Sequence, residues 1–367
     1  MTGVQTCALP IFRQNHEDIF KKFPKGIKYL PIRSRFNSTL REKYAYEKYI
    51  NKDAACKDVK YPKILDDMFE RELKRIYPGI SFDKMIHFDG YGEDAILLYK
   101  YINCDNLFWV HNDMVQECKT KGNQKWYLLK EAFNNYKHVV SVSPDLIKSI
   151  LKISDEKIDV KIVHNVCNYK DIDEKSKKEI IFNKHSLIET NHVGGIQDVL
   201  NSPGKKFITI GRFSPEKGHE RLLLAFDEFC KEYPDTQLII IGGHGTIYEK
   251  TLELRKSLDS WKNITIIKSI SNPMPILKRC DLFILSSFYE GWPMVLMEAN
   301  VLDIPIIATN IIGTQWMKDF NGHIVGNSKK EILQGFYDFM ECNVKDMTLD
   351  YEEYNRNAIK EFTDLLN

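Results

Sequence analysis

Ten residues carry the strongest chemical signal in the sequence: Glu290-Gly291-Trp292-Pro293-Met294-Val295-Leu296-Met297-Glu298-Ala299. They follow an apolar run, Asp281 to Ser287, that reads as a buried strand. Pro293 suits the first turn of a helix, where its missing N–H leaves no bond unmade. Gly291 allows another group to approach the backbone closely. A helix opening there presents free N–H groups and the positive end of its dipole, an anion site suited to a diphosphate. Glu290 precedes the helix, and Glu298 lies about a turn and a half inside it. One carboxylate can face a sugar hydroxyl while the other accepts from ribose hydroxyls. Spacing alone leaves the plainer alternative open, an exposed acid and an ordinary helix acid.

A second segment, Gly211-Arg212-Phe213-Ser214-Pro215-Glu216-Lys217-Gly218, sits between a strand pattern and a helix pattern. Arg212 offers a planar fork and Lys217 a point charge. Two cations at a strand end can stabilise charge that grows on a leaving diphosphate; an exposed basic loop is the simpler alternative. A third segment, Gly242-Gly243-His244-Gly245, follows the next strand. It is either a phosphate-proximal turn or merely a tight one.

The elements that must carry these residues follow from periodicity. Short apolar runs alternate with amphipathic stretches from about residue 80 onward, which argues for parallel sheets covered on both faces. In the first half the expected strands are 85–88, 107–110, 138–142 and 159–163, with helices over 93–101 and 125–136. The interval 169–204 breaks the rhythm with a charged stretch, paired glycines and Ser202-Pro203-Gly204. That composition reads as loop and linker, which places a domain boundary near 170–204. A second alternation follows: strands at 207–210, 238–241, 264–267, 282–285 and 305–308, helices over 218–233, 248–258 and 293–301. Two such doubly wound halves imply a cleft, with ligands at the C-terminal ends of the strands. Before residue 80 a strand at 28–32 and charged helices over 41–50 and 64–76 are expected.

Composition narrows the function classes. The chain has 367 residues and a net charge of +1, so no global field favours nucleic acid or an acidic membrane surface. Hydrophobic residues make up 43% of it, enough for real cores. No apolar run reaches the roughly 18 to 20 residues of a membrane span. Its 8 cysteines include no CxxC pair, which indicates neither a zinc site nor a disulfide framework and fits a reducing cytoplasm. Met1 to Ile11 coincide residue for residue with the translated end of a common short-read sequencing adaptor. We therefore exclude them from fold reasoning and expect a chain truncated at its N-terminus, beginning near Phe12.

Taken together and in order, GRFSPEKG, GGHG, DLFILSS and EGWPMVLME resemble the C-terminal half of family 4 glycosyltransferases of the GT-B type. Their family pattern is a Gly-Arg…Lys-Gly loop, a Gly-rich loop, a strand ending near Ser, then Glu-x7-Glu. Ile312-Gly313-Thr314 and Asn321 to Val325 fit as well. More loosely, Phe108-Trp109-Val110-His111-Asn112-Asp113 is similar to the strand whose histidine approaches the donor sugar. Val140 to Ser143 and Val163-His164-Asn165 match the last strands before the linker, with His164 structural. Residues 351–366 resemble the final helix that crosses back onto the first domain.

The resemblance implies an α/β GT-B fold, two Rossmann-like domains facing a cleft, with the N-terminal one incomplete. It implies domains over 12–200 and 201–345, and a returning helix over 346–367. Arg212 and Lys217 would hold the donor diphosphate, Glu290 the sugar hydroxyls, Glu298 the ribose, and His111 the sugar. Gly211, Gly243, Gly291, Trp292, Pro293, Met294 and Val295 would complete the donor site. A retaining, front-face transfer assisted by the leaving phosphate needs no protein nucleophile, metal or cofactor. Asp171-Ile172-Asp173 looks like a metal-binding DxD, but lies in a charged stretch and not at a strand end. The implied partners are a nucleotide-diphosphate sugar, UDP-sugar first, and a glycan, teichoic acid or lipid-linked acceptor in bacterial cell-surface polysaccharide synthesis. Nucleic acid is not among them. The implied location is the cytoplasm or the inner membrane face. The basic run 21–35 is either a peripheral membrane contact or a solvated face.

Two departures stand out: Trp292 where the family more often has Phe, and no first strand with its Gly-rich loop upstream of Phe12. That absence implies a fragment with weakened nucleotide binding and turnover, and assigns the activity to the parent protein. The competing expectations are a GT-B nucleotide-sugar epimerase and a catalytically silent nucleotide-sugar-binding module.

Overall fold

A computed structural model describes residues 37–79, 81–154, 158–243 and 245–366. The Met1–Ile11 segment, the 28–32 strand, the 21–35 basic run and His244 lie outside the described residues. The chain divides into two compact units between Ile162 and Val163.

Among the described residues of the first unit, helices α1 (Leu40–Ile50) and α2 (Ile64–Ile76) precede the sheet. Thr39 and Glu42 close a reciprocal capping box on α1, satisfying backbone donors that helix geometry leaves free. On α2, Leu65, Met68, Phe69, Leu73 and Ile76 are buried, the spacing of one apolar helical face. Four parallel strands follow in the order β1-β2-β3-β4: β1 (Lys84–His87), β2 (Asp105–Val110), β3 (His138–Ser141) and β4 (Val160–Ile162). Between them run α3 (Glu93–Leu97), α4 (Met114–Gln116), α5 (Trp126–Asn135) and α6 (Ile147–Ile153). In β2, residues 106–110 are all buried, as expected for a strand covered on both faces.

The second unit holds a seven-stranded sheet in the order β11-β10-β9-β6-β7-β8-β5. Its strands are β5 (Leu187–Glu189), β6 (Lys206–Ile210), β7 (Gln237–Gly242), β8 (Ile264–Lys268), β9 (Leu282–Leu285), β10 (Ile306–Thr309) and β11 (His323–Val325). All pairs are parallel except β5 with β8. The helices are α7 (Tyr169–Ser176), α8 (Ile196–Asn201), α9 (His219–Phe229), α10 (Tyr248–Ser257), α11 (Met274–Leu277), α12 (Met294–Val301), α13 (Lys329–Met340) and α14 (Tyr351–Leu366). The core joins Phe207 of β6, Phe226 and Phe229 of α9 and Phe336 of α13.

The interval 169–204 departs from the expected linker. It contains α7, β5 and α8, and it packs with the second unit. Only Ile172 of α7 is buried, while Asp171–Lys175 and Asp173–Lys177 pair one turn apart on the helix. So polar a helix carries too weak an apolar period to be seen in sequence. The two aspartates of the DxD look-alike are occupied by those lysines. Among the described residues no group of three or more metal-ligating side chains occurs, and no helix is long and apolar enough to cross a membrane.

Candidate functional site

The strand order of the second unit locates its site. From β6 the chain proceeds outward to β7 and β8, then returns to the other side of β6 for β9, β10 and β11. The order reverses between β6 and β9, which pair Phe207 with Leu282 and Ile208 with Phe283. In open α/β sheets, ligands bind outside the C-terminal ends of the strands at such a switch point. The loop after β6 is Gly211 to Gly218, and the loop after β9 is Ser286 to Pro293.

The two loops meet. Lys217 Nζ lies 2.5 Å from Glu290 Oε1, and Ser287 Oγ donates to the same oxygen at 2.7 Å. Phe288 N–H donates to the Glu216 carbonyl at 2.7 Å, and Ser286 Oγ to the Lys217 carbonyl at 2.8 Å. Gly218 makes this approach possible: its φ is +66°, and a Cβ there would stand 2.2 Å from the Ser286 carbonyl oxygen. Gly211 lies against the Lys217 side chain, with a hypothetical Cβ 3.2 Å from Lys217 Cδ. Gly243 faces open space.

Arg212 is the exposed cation of the pair, with Nη2 3.2 Å from Glu216 Oε1. Glu216 is buried and also accepts from Ser214 Oγ at 2.7 Å. Two residues that sequence reasoning missed brace this loop. His219 is buried, with Nε2 3.1 Å from the Arg212 carbonyl oxygen and its ring against Phe213. Burial pushes its imidazole down to about 4, so it is neutral and Nε2–H donates. Arg221 donates to the Ser286, Ser287 and Asn327 carbonyls and lies over the Phe288 ring at 3.8 Å. Burial pushes its guanidinium down to about 10. The available signal was a charged side chain on the otherwise apolar face of α9.

Helix α12 opens as the sequence suggested, one residue later: Pro293 is its N-cap and Met294 its first residue. Gly291, Trp292 and Pro293 are buried, and Met294 and Val295 are half-buried. Gly313 packs under the turn, where a Cβ would stand 2.8 Å from the Glu290 carbonyl oxygen. Glu298 is half-buried and makes no hydrogen bond or ion pair within the described residues. Burial raises its carboxyl above the usual range, partly offset by the Lys175 charge.

His111 belongs to the first unit, just after β2. Its Nε2 lies 2.6 Å from the Phe88 carbonyl oxygen, so that nitrogen carries the proton. Burial lowers the imidazole pKa against this backbone bond, which leaves a neutral ring whose Nδ1 can accept. The structure thus brings Gly211, Lys217 and Glu290 together, keeps exposed Arg212 on the same loop as Lys217 and Gly291 and Pro293 on the same turn as Glu290, and puts Glu298 on the helix leaving it.

Residues 196–358, within the second unit, match the family described as glycosyl transferases group 1. An uncharacterized glycosyltransferase, MJ1059 of Methanocaldococcus jannaschii, is 28% identical over 223 residues, spanning 59% of this chain and 52% of that protein. The capsular polysaccharide biosynthesis glycosyltransferase CapH of Staphylococcus aureus is 27% identical over 185 residues, half of each chain. The chain therefore spans about half the length of these curated relatives. The crystal structure of Anabaena HepE in complex with UDP superposes with a TM-score of 0.60 at 14% identity, covering 81% of this chain and 82% of that one. The fold is GT-B, with two Rossmann-like domains.

Proposed function

We propose that the chain carries the donor site of a family 4 retaining glycosyltransferase, which moves a sugar from a nucleotide-diphosphate sugar to a glycan, teichoic acid or lipid-linked acceptor in bacterial cell-surface polysaccharide synthesis. The observation that carries this reading is the meeting of the β6 and β9 loops at the switch point, where Lys217 pairs with Glu290 just before the α12 N-terminus and Arg212 stands on the same loop. Such a site suits an anion next to a group rich in hydroxyls. The capsule assignment of CapH and the UDP held by HepE support a polysaccharide context and a UDP-sugar donor.

On this reading the cations act on the leaving group. The bond from the sugar anomeric carbon to the diphosphate oxygen breaks, and Arg212 and Lys217 stabilise the charge that collects on that oxygen. The acceptor hydroxyl bonds to the same face of the carbon and gives its proton to the departing phosphate. Glu290 orients sugar hydroxyls, and Glu298, which makes no hydrogen bond or ion pair among the described residues, accepts from the ribose. In the first unit a neutral His111 suits a hydroxyl better than a phosphate. No step calls for a metal or a protein nucleophile.

The test is nucleotide release from UDP-sugars by the protein, with and without acceptor. Release that depends on acceptor supports transfer; an epimerised donor without acceptor supports the isomerase instead. Tight donor binding with neither outcome would reduce the reading to a binding module.

A further inference from the structure

Helix α14 pins the segment that opens the second unit. Tyr354 OH donates to the Asn165 carbonyl at 2.9 Å. Asn355 pairs with both backbone groups of Cys167, accepting at 2.8 Å and donating at 2.7 Å. The Glu361 carboxylate accepts from the His164 backbone N–H at 2.9 Å and from its ring Nδ1 at 3.0 Å. At the start of the same helix, Tyr351 OH reaches α12, within 2.6 Å of Asn300 Oδ1 and 3.1 Å of the Met297 carbonyl oxygen.

These groups converge on one indole. The His164 ring meets Trp292 edge-on at 5.4 Å, and the Tyr354 ring lies nearly parallel to it at 6.4 Å. Trp316 stacks on Trp292 at 4.8 Å with a 21° interplanar angle. Trp292 Nε1 lies 3.4 Å from Met297 Sδ. Edge-on and offset-parallel contacts of this kind fix ring orientation as well as burying area. Trp292 stands between Gly291 and Pro293, so fixing its ring fixes the turn between Glu290 and the first residue of α12.

We infer that His164, Tyr354 and Glu361 are positioning residues of the donor site: through Trp292 they hold the Glu290–Pro293 turn in the shape that receives the diphosphate. The inference rests on the nucleotide-diphosphate reading above. It makes the C-terminal helix a working part of the site, although none of the three residues is assigned a contact with the donor. A loop whose flanking glycine leaves it torsional freedom needs such external support, because small displacements of binding groups carry large penalties.

Two readouts on the full chain test it. The first is the exciton couplet of the stacked Trp292–Trp316 pair in circular dichroism, assigned by its loss in Trp316→Phe. The second is UDP binding by calorimetry. Tyr354→Ala and His164→Ala are expected to diminish the couplet and to weaken UDP binding by about ten-fold. Tyr354→Phe keeps the ring and is expected to restore both. Folded Tyr354→Ala and His164→Ala with a wild-type couplet and wild-type UDP affinity would overturn the inference. Should both fail to fold, Glu361→Gln carries the test, since it keeps the packing and weakens only the grip on His164. An unchanged couplet and affinity there would equally overturn it. Failure of the wild-type chain to bind UDP would instead reject the nucleotide reading, and with it any donor-site role, whatever the couplet shows.

Discussion

Lys217 and Glu290, separated by 73 residues in the chain, meet at 2.5 Å where the loops after β6 and β9 converge. The contact is mostly shielded from solvent. An ammonium held this way has a fixed position, and on the proposed reading it exchanges its carboxylate partner for a donor phosphate at little cost in order.

Replacing Lys217 or Arg212 by Ala should lower turnover by on the order of 10²–10³-fold, the range for removing one preorganised charge-stabilising donor. Steady-state rates on a UDP-sugar check this. Wild-type rates in both variants would reject the diphosphate assignment. Lys217→Ala also leaves Glu290 with Ser287 alone, so its loss should exceed that of exposed Arg212→Ala.

Glu298 sets function against stability. Its charge is desolvated, offset only in part by Lys175 and with no hydrogen bond or ion pair among the described residues, so Glu298→Gln should stabilise the unliganded chain by about 1 kcal/mol, a rise of about 2–4 °C in melting temperature. The same change should weaken UDP binding. A variant that lost stability and kept its affinity would contradict the proposed ribose contact.

His219 makes the second unit sensitive to acid. Its pKa falls from 6.5 in the open chain to about 4 when folded, so between those values the unfolded state binds more protons. Stability present above pH 6.5 is therefore lost as pH falls toward 4, by on the order of 3 kcal/mol. Denaturant titrations across that window should show a smaller loss in His219→Gln than in the wild type. Equal slopes would place the linkage elsewhere.

Gly218 should not tolerate a side chain. Its φ is in the left-handed region and its Cα faces the Ser286 carbonyl at close range. Gly218→Ala is expected to cost on the order of 2–4 kcal/mol, measured as a shift in the unfolding midpoint. Unchanged stability would mean that the β6 and β9 loops can separate without loss.

On the proposed reading a chelator should leave nucleotide release unchanged, since Arg212, Lys217 and the α12 N-terminus would supply the positive charge that leaving-group chemistry requires. Loss of activity restored by a divalent cation would require a different account of how the diphosphate departs.

The sequence alone determined most of the strands and helices of the second unit, and the loops that hold its candidate site residues. Period-two and period-3.6 patterns, and the punctuation by glycine and proline, act over a few residues and survive without context. Helix Ile64–Ile76 and strand Leu282–Leu285 match expectation residue for residue. Tertiary structure alone decided the rest. It placed β9 beside β6, and so Glu290 beside Lys217. It folded the polar 169–201 stretch onto the second unit and buried His219 and Arg221 as braces. It also set α14 against His164 and Trp292. Each of those outcomes depends on strand order and on packing between distant segments, which follow from how apolar faces are shared across the whole unit and leave no mark in local spacing.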